Sequence, residues 1–319
     1  MSRNTQINYN QVMSSNLPLF GVFAAALTPQ KPDFSPDLDA LPTLLEFLAQ
    51  RGCHGALLLG TTGEGPSFAP EERLEIFKAA QPVRQVHPRF RLLAGTGTPS
   101  LKETIDLTRV AFDAGMDGVV VLPPYYFRKV SDDGLFAWFS QVIRRSVPVG
   151  GALLGYHIPP VTGVPLSLDL LARLKDAYPE QFAGIKDSST DPDHARRLGE
   201  RFGKDLMVYS GMDSLFSLAL QNSACGCITA MANLRSPDSR LVWDAHQANT
   251  TEDAAQKRLD LARALMDRYP PNPPLYKALV ARLYGLPRWD VRPPLLALSS
   301  DLEEKILQEA ISSVEGFTT

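Results

Sequence analysis

The feature that most constrains the fold is an alternation of short apolar runs with longer amphipathic stretches, repeated eight times before residue 250. Strands that alternate with helices pair in parallel through right-handed crossovers, and strands buried on both faces are apolar throughout. Eight such units close a barrel, so we expect an α/β fold, a (β/α)8 TIM barrel with a C-terminal helical extension. No GxGxxG turn follows the first run, which weakens the alternative of an open dinucleotide-binding sheet. The predicted strands are residues 20–27, 54–60, 91–97, 117–122, 148–158, 182–187, 206–210 and 226–231.

Capping residues predict where several helices begin. We expect Ser35 to cap the first helix with Pro36 at its first position, and Ser236 with Pro237 to open the eighth. Two further helices carry predicted capping boxes, at Ser100 with Glu103 and at Ser300 with Glu303. After residue 250 the alternation stops and three helical stretches follow, at 252–268, 274–284 and 300–314. The predicted organisation is a flexible N-terminal tail at 1–17, a TIM barrel catalytic domain at 18–249 and a C-terminal helical region at 250–319.

Charge and composition exclude several classes of function. The formal net charge of −3 offers no basic surface for nucleic acid or for an anionic membrane. No apolar run approaches the ~20 residues of a spanning helix, and the polar N-terminal tail has no apolar core of a secretory signal. Three cysteines argue against a disulfide framework and for a reducing compartment, so we expect a cytoplasmic protein. Cys225 and Cys227 are predicted to share one face of a strand in a structural role.

Active sites of TIM barrels lie where the strands end, and reactive residues follow four of the predicted strands. The second strand ends in a Gly-Thr-Thr-Gly-Glu turn at 60–64, whose amides and hydroxyls suit a carboxylate or a phosphate. The fourth ends in two prolines and two tyrosines, which are equally typical of simple packing. The fifth ends in Tyr156, which can transfer a proton or can be an ordinary core tyrosine.

The sixth strand ends in Lys186, which apolar strand residues precede. A lysine inside a barrel is costly unless it is neutral or paired, and the sequence alone leaves a structural ion pair with Asp187 open. A neutral amine can attack a ketone and form an iminium, which withdraws electrons from a neighbouring C–C bond. Together, Lys186, Tyr156 and the turn at Thr61 and Thr62 supply the nucleophile, the proton donor and the carboxylate anchor for such chemistry.

At this point the chain resembles the dihydrodipicolinate synthase / N-acetylneuraminate lyase family of class I, Schiff-base pyruvate aldolases. The matching motifs fall in family order from about residue 18. They are Gly-Thr-Thr-Gly-Glu at 60–64, Pro-Tyr-Tyr at 124–126, Tyr-His-Ile-Pro at 156–159, Gly-Ile-Lys-Asp at 184–187 and Ser-Gly-Met-Asp at 210–213. Each motif is weak alone, and the ordered set is specific.

The resemblance implies a role for each matching residue. Lys186 would form the Schiff base with a 2-keto acid, and Tyr156 would be the general acid/base. Thr61 would relay protons to Tyr126, which in the family comes from a neighbouring subunit. The remaining implied positions are Gly60 and Thr62 in the turn that holds the carboxylate, and Ile228, whose backbone carbonyl would lie near the lysine. The resemblance also implies a homotetramer or homodimer that works without metal or organic cofactor.

The chain departs from the synthase branch in the loop after the fifth strand. Val161 stands where that branch has an arginine that grips the carboxylate of the incoming aldehyde. Losing a charge-assisted hydrogen bond of ~1.5–3 kcal/mol costs tenfold or more in binding. His157 replaces the usual asparagine, and it could either donate to a substrate hydroxyl or bond a backbone carbonyl. Phe127 replaces another asparagine, so the second substrate is expected to be less charged, such as a sugar-acid-derived or aromatic aldehyde.

Three functions therefore compete. The favoured one is a pyruvate-dependent aldolase or lyase, such as a 2-keto-3-deoxy sugar acid aldolase or dehydratase, and 4-hydroxy-tetrahydrodipicolinate synthase is the runner-up. A non-catalytic keto-acid-binding homologue is the alternative of another class. A metal-dependent barrel lyase could use Asp191, Asp193 and His194, but Asp191 before Pro192 is typical of a helix start, and no other cluster converges by spacing.

Overall fold

Eight parallel strands close into a barrel, in which each strand pairs with its neighbours in chain order and β8 pairs with β1. The structure is a computed structural model that describes residues 19–317, so the predicted tail at 1–17 lies outside the described residues. The TIM barrel predicted from the alternation is therefore confirmed. The strands are β1 Gly21–Ala25, β2 Gly55–Leu58, β3 Arg91–Gly95, β4 Gly118–Val121, β5 Ala152–His157, β6 Phe182–Asp187, β7 Met207–Ser210 and β8 Gly226–Thr229.

Helices follow every strand, and three more close the chain. The helices are α1 Leu41–Gln50, α2 Pro70–Ala79, α3 Val83–Val86, α4 Leu101–Asp113, α5 Asp132–Ser146, α6 Pro159–Thr162, α7 Leu168–Ala177, α8 Pro192–Phe202, α9 Phe216–Gln221, α10 Ala232–Gln247, α11 Asp253–Met266, α12 Asn272–Tyr284 and α13 Ser300–Ser313. Short 3₁₀ turns at Gly65–Ser67 and Asp213–Leu215 complete the loops after β2 and β7. No helix within residues 19–317 has the length and apolar content needed to span a bilayer.

Two apolar clusters hold the barrel together. The smaller one fills the barrel interior with side chains such as Phe23, Leu57 and Leu154. The larger one lies between the strands and the surrounding helices, and α10, α12 and α13 continue it into the C-terminal region. Burial of both strand faces explains why the strand sequences are almost uniformly apolar.

The predicted start of the first helix is wrong, because α1 begins at Leu41. The Asp33 carboxylate accepts hydrogen bonds from the amide and the hydroxyl of Ser35, and Pro36 pairs with Gln30 in an isolated bridge. These local contacts hold the segment in a turn before the helix. The last helix is capped by Ser299, one residue before the predicted Ser300.

The predicted helix start at Ser100 is confirmed, whereas the predicted start at Ser236 and Pro237 is wrong, because α10 begins at Ala232. The Ser100 hydroxyl accepts a hydrogen bond from the Glu103 amide at the start of α4. Within α10 the backbone leaves helical geometry at Arg235, immediately before Ser236 and Pro237. The predicted start at these two residues therefore marks the second half of α10.

The two neighbouring cysteines do not share a face, contrary to the prediction. Cys225 belongs to the inner cluster and Cys227 to the outer one. Gly226 between them has a φ of +153°, which breaks the alternation of faces, and a side chain there would stand 2.0 Å from the Gly21 carbonyl oxygen. All three cysteines are free and buried.

Candidate active site

A β-bulge in β6 decides which residues face the barrel interior. The register between β5 and β6 shifts so that Leu153 pairs with Phe182 and Leu154 with Gly184, leaving Ala183 as the extra residue. A bulge re-aims the side chains that follow it, and bulges are frequent beside active sites. Beyond it, Tyr156 pairs with Lys186 inside the barrel, and His157 pairs with Asp187 on the outer side.

Lys186 and Tyr156 are in direct contact at the end of the barrel where the strands terminate. The Lys186 Nζ atom lies 4.2 Å from the centre of the Tyr156 ring, and both side chains are buried. The Tyr156 hydroxyl lies 3.4 Å from the Thr61 hydroxyl. The structure thus joins β2, β5 and β6 through the three residues that the sequence predicts for Schiff-base chemistry.

The environment of Tyr156 lowers the pKa of its phenol. Burial alone raises the pKa, but the nearby charge of Lys186 and hydrogen bonds from Thr61, Lys186 and Ser188 outweigh burial. A phenol with a lowered pKa gives up and recovers a proton more readily near neutral pH. Ser188 was missed in the sequence, although it follows the lysine by two residues and so shares its side of the chain.

The turn after β2 has a rigid backbone. A side chain at Gly63 would stand 2.7 Å from the Ala26 carbonyl oxygen, so only glycine fits there. The Thr28 hydroxyl donates to the Gly63 carbonyl at 2.7 Å, and Glu64 has a φ of +56°. The Glu64 carboxylate accepts a hydrogen bond from the Lys277 ammonium of α12 at 2.6 Å, and both side chains are 0% exposed. The C-terminal helices therefore anchor the turn that carries Thr61 and Thr62.

A small cavity opens beside Thr61 and Tyr156. Gly60 and Leu59 of the β2 turn, together with Val120 and Leu122 from the end of β4, form its walls. Arg73 also lines it, and no motif in the sequence marks this residue as functional. Its Nε–H donates to the Phe68 carbonyl at 3.0 Å. Arg73 lies in the first turn of α2, where a cation opposes the helix dipole, and this was the signal that could have marked it.

The loop after β4 exposes two of its three aromatic residues to solvent. The side chain of Tyr126 is 78% exposed. Among the ring contacts of residues 19–317, its one partner is the exposed Phe127, with the ring centroids 5.3 Å apart. The structure therefore does not bring Tyr126 to Thr61 within one chain. Tyr125, in contrast, is half-buried, and burial raises the pKa of its phenol.

The other predicted site residues divide between the interior, the outer side and the surface. Ile228 is buried in the inner cluster, and Thr62 is buried in the β2 turn. Val161 is exposed in α6. His157 lies on the outer side of β5, where its Nδ1 accepts a hydrogen bond from the Leu166 amide at 2.9 Å. This placement supports neither sequence alternative for His157, because the imidazole contacts a backbone donor and faces away from the barrel interior.

One group within residues 19–317 has the donor atoms that could hold a metal ion. His157, Asp187 and His194 each offer a ligand atom, and these atoms lie within 4.8 Å of one another on the outer side of β5 and β6. Sequence spacing did not reveal this group, since its members come from β5, β6 and α8. The site between Lys186 and Thr61 contains no such cluster of ligands within the described residues.

A barrel whose strand ends hold a buried lysine against a tyrosine has the architecture of the lyases and aldolases built on this fold. The profile of the Dihydrodipicolinate synthetase family matches residues 18–313, which is nearly the whole chain. The chain belongs to this family, as the motifs in its sequence predicted.

Relatives with similar sequences cover almost the full length. An uncharacterized DapA-like lyase from Chloroflexus aurantiacus is 37% identical over 94% of this chain and 98% of its own. A 4-hydroxy-tetrahydrodipicolinate synthase from Thermus thermophilus is 32% identical over 86% of this chain and 90% of its own.

Solved structures of the family superpose closely on the barrel. Dihydrodipicolinate synthase from Agrobacterium tumefaciens is 33% identical, with a TM-score of 0.82 over 92% of this chain and 98% of that one. YagE, an Escherichia coli prophage protein of the same family whose structure is a complex with pyruvate, is 27% identical, with a TM-score of 0.83 over 92% of this chain and 98% of that one.

Proposed function

We propose that this lyase-family protein forms a Schiff base between Lys186 and pyruvate or a related 2-keto acid, and joins it to or releases it from an aldehyde. The observation that carries the proposal is the contact of a buried lysine with Tyr156, which is itself within 3.4 Å of the Thr61 hydroxyl. Within the family, the protein would act as a 2-keto-3-deoxy sugar acid aldolase or dehydratase.

Each step of this chemistry has a residue in place. The amine of Lys186 attacks the ketone carbon after giving up a proton, and the ketone oxygen leaves as water after receiving two protons, so that an ammonium and a ketone become an iminium and water. Tyr156 delivers and accepts these protons, and Thr61 connects its phenol to the cavity. The amides of the rigid turn at Gly60 and Thr62 would hold the carboxylate of the keto acid. In the cleavage direction the iminium accepts the electrons of the C–C bond that breaks, which leaves an enamine and releases the aldehyde. In the joining direction the iminium loses a proton from the adjacent carbon to become the enamine, whose electrons form the new bond to the aldehyde carbon while the aldehyde oxygen takes up a proton.

The exposed Tyr126 supports an assembly in which the relay is completed between subunits. A phenol that is 78% exposed in one chain can enter the site of a second copy, where it would meet Thr61. We therefore propose a homodimer or homotetramer in which Tyr126 of each chain serves a partner. The three free, buried cysteines support the expected reducing, cytoplasmic environment.

Borohydride trapping with pyruvate tests the proposal directly. Sodium borohydride reduces an iminium to a stable secondary amine, so peptide mapping should place the pyruvate adduct on Lys186. The chain supplies a matched control in Lys277, a second buried lysine that is paired with Glu64 and should remain unlabelled. Lys186→Ala and Lys186→Arg should abolish both the adduct and turnover. Bound pyruvate without an adduct would instead identify a non-catalytic keto-acid-binding homologue.

A screen of aldehydes identifies the second substrate. Val161 offers no charge for a substrate carboxylate, which favours sugar-acid-derived or aromatic aldehydes. The runner-up function, 4-hydroxy-tetrahydrodipicolinate synthase, is the name of the Thermus thermophilus relative, so the screen includes aspartate semialdehyde. A rate with aspartate semialdehyde that matches authentic synthases would make the runner-up the function.

Replacing Val161 should reveal the missing contact. We expect Val161→Arg to raise kcat/KM for aspartate semialdehyde by about tenfold or more, because a charge-assisted hydrogen bond contributes ~1.5–3 kcal/mol. Val161→Gln has a similar length without charge and serves as the control. Equal steady-state rates for both variants would show that this position does not contact the aldehyde.

A further inference from the structure

A buried trio behind the strand ends is not used by the mechanism proposed above. His157 and Asp187 each follow a site residue directly along the chain, Tyr156 on β5 and Lys186 on β6. They are register partners on the outer side of the barrel, and His194 from the first turn of α8 covers them. All three side chains are buried. We call these three residues the His–Asp–His cluster.

Hydrogen bonds from two N–H donors stabilise the ionised form of Asp187. His194 donates from Nδ1 to Asp187 Oδ2 at 3.1 Å, and the Ser189 amide donates to Asp187 Oδ1 at 3.0 Å. Burial raises the pKa of Asp187, but the hydrogen bond and charge of His194 and the Ser189 amide together hold it below its usual value. Asp187 is therefore a carboxylate, and both of its oxygens accept N–H donors.

The two imidazoles do not form a metal site in this arrangement. Their rings are stacked with centroids 4.5 Å apart and an interplanar angle of 15°. The lone pair of an imidazole nitrogen lies in the ring plane, so two stacked rings direct their lone pairs side by side rather than to one point. The Nδ1 atom of His157 is also occupied by the Leu166 amide. The geometry suits hydrogen bonding and packing, not coordination.

The backbone beside the cluster connects it to the reacting residues. The Ser188 amide donates to the His157 carbonyl at 2.7 Å, and the Gly211 amide donates to the Asp187 carbonyl at 2.7 Å. These bonds join β5, β6 and β7 at the positions directly after Tyr156 and Lys186. Through His194 the same point is tied to α8, and through His157 to the segment before α7.

We propose that the hydrogen bond from His194 to Asp187 is a positioning contact that holds Lys186 against Tyr156 for Schiff-base formation. The inference rests on the proposed function, and it assigns His194 and Asp187 as positioning residues that do not touch the substrate. A misplacement of about 1 Å in a reacting group can lower a rate about a hundredfold, so an outer contact that fixes two strand ends can control the reaction.

The test measures iminium formation with pyruvate as the probe, using the full chain. Rapid mixing with pyruvate and a borohydride quench at set times give the rate at saturation and the pyruvate concentration for half-maximal rate. His194→Leu removes the N–H donor, whereas His194→Asn presents an amide N–H near the position of Nδ1. Asp187→Asn removes the charge, and Asp193→Asn makes the same change at an exposed carboxylate of α8. Urea unfolding of each variant reports whether the fold is intact.

We expect His194→Leu and Asp187→Asn to lower the saturating rate by about 10- to 100-fold while half-saturation by pyruvate changes by less than about twofold. His194→Asn should restore most of the rate, and Asp193→Asn should equal the wild type.

A folded His194→Leu variant with the wild-type rate would overturn the proposal, as would a His194→Asn variant as slow as His194→Leu. Tight Zn²⁺ binding that His194→Leu abolishes would replace it with a metal site. Absence of an adduct in the wild type would defeat the proposed function, and this inference with it, whereas a wild-type adduct with equal variants defeats the inference alone.

Discussion

The turn after β2 and the loop after β4 open at the same end of the barrel, but they are held in opposite ways. The β2 turn ends in Glu64, whose carboxylate pairs with Lys277 in a fully buried contact. The β4 loop carries Tyr126 and Phe127, whose rings are exposed to solvent. The turn that serves its own site is fixed within the chain. The exposed rings of the β4 loop are accessible to a second chain, as the proposed role of Tyr126 in a partner's site requires.

The largest expected effect comes from breaking the anchor of the β2 turn. Lys277→Met leaves the Glu64 carboxylate buried without its cation, which typically costs about 3–5 kcal/mol in the free energy of unfolding. Urea denaturation measures this loss. Arg268→Met removes an exposed partner of Glu309 and should cost less than about 1 kcal/mol. A Lys277→Met variant that unfolds at the wild-type urea concentration would contradict the anchoring role.

The next effect tests the exposed loop. Tyr126→Phe should leave the free energy of unfolding unchanged, because the phenol is exposed, but should lower kcat by about a hundredfold or more if the hydroxyl transfers a proton. Complementation separates action within a chain from action between chains. Mixing unfolded Tyr126→Phe and Lys186→Ala chains and refolding them together should restore about a quarter of the activity in a two-fold dimer, since half of the dimers would carry one complete site. No recovery from co-refolded chains would mean that Tyr126 acts within its own chain, and a Tyr126→Phe variant with the wild-type kcat would place Tyr126 outside the relay.

A smaller effect is expected at the end of β5, where His157 is the last residue of the strand and is buried. Burial lowers the pKa of His157 to about 4, with the Asp187 charge acting in the opposite direction. In the unfolded chain the histidine binds a proton near pH 6.5, whereas in the folded chain it stays neutral until about pH 4. The contribution of His157 to the free energy of unfolding is therefore complete above pH 6.5 and is lost as the pH falls towards 4. A pKa difference of about 2.5 units corresponds to a loss of about 3 kcal/mol in the free energy of unfolding.

The measurement is urea unfolding at several pH values between 7 and 4. His157→Asn keeps an acceptor for the Leu166 amide but cannot titrate, so its free energy of unfolding should fall less steeply with acid. His54 also has a pKa lowered by burial to about 4 and remains in both proteins as a common background. Parallel curves for wild type and variant would show that His157 does not titrate on unfolding.

Most of the fold prediction came from the pattern of apolar runs and from the helix-capping residues. The order of the strands and the bounds of β6 follow from apolar runs, because a strand buried on both faces must be apolar along its whole length. The first helix was misplaced because Asp33 and Pro36 form local contacts that compete with a helix start. Such competition depends on a few hydrogen bonds of similar strength, which residue types alone do not rank.

The sequence by itself determined the barrel, the order of its motifs and the candidates Lys186, Tyr156 and Thr61, since these depend on residue type and on position along a strand. Only the tertiary structure decided which of them meet. The bulge at Ala183 sets the register that brings Lys186 to Tyr156 and turns His157 outward to Asp187 and His194. The tertiary structure also pairs Glu64 with Lys277 and places Arg73 at the cavity. These contacts join residues distant along the chain, and one extra residue in a strand reverses the face of every side chain after it.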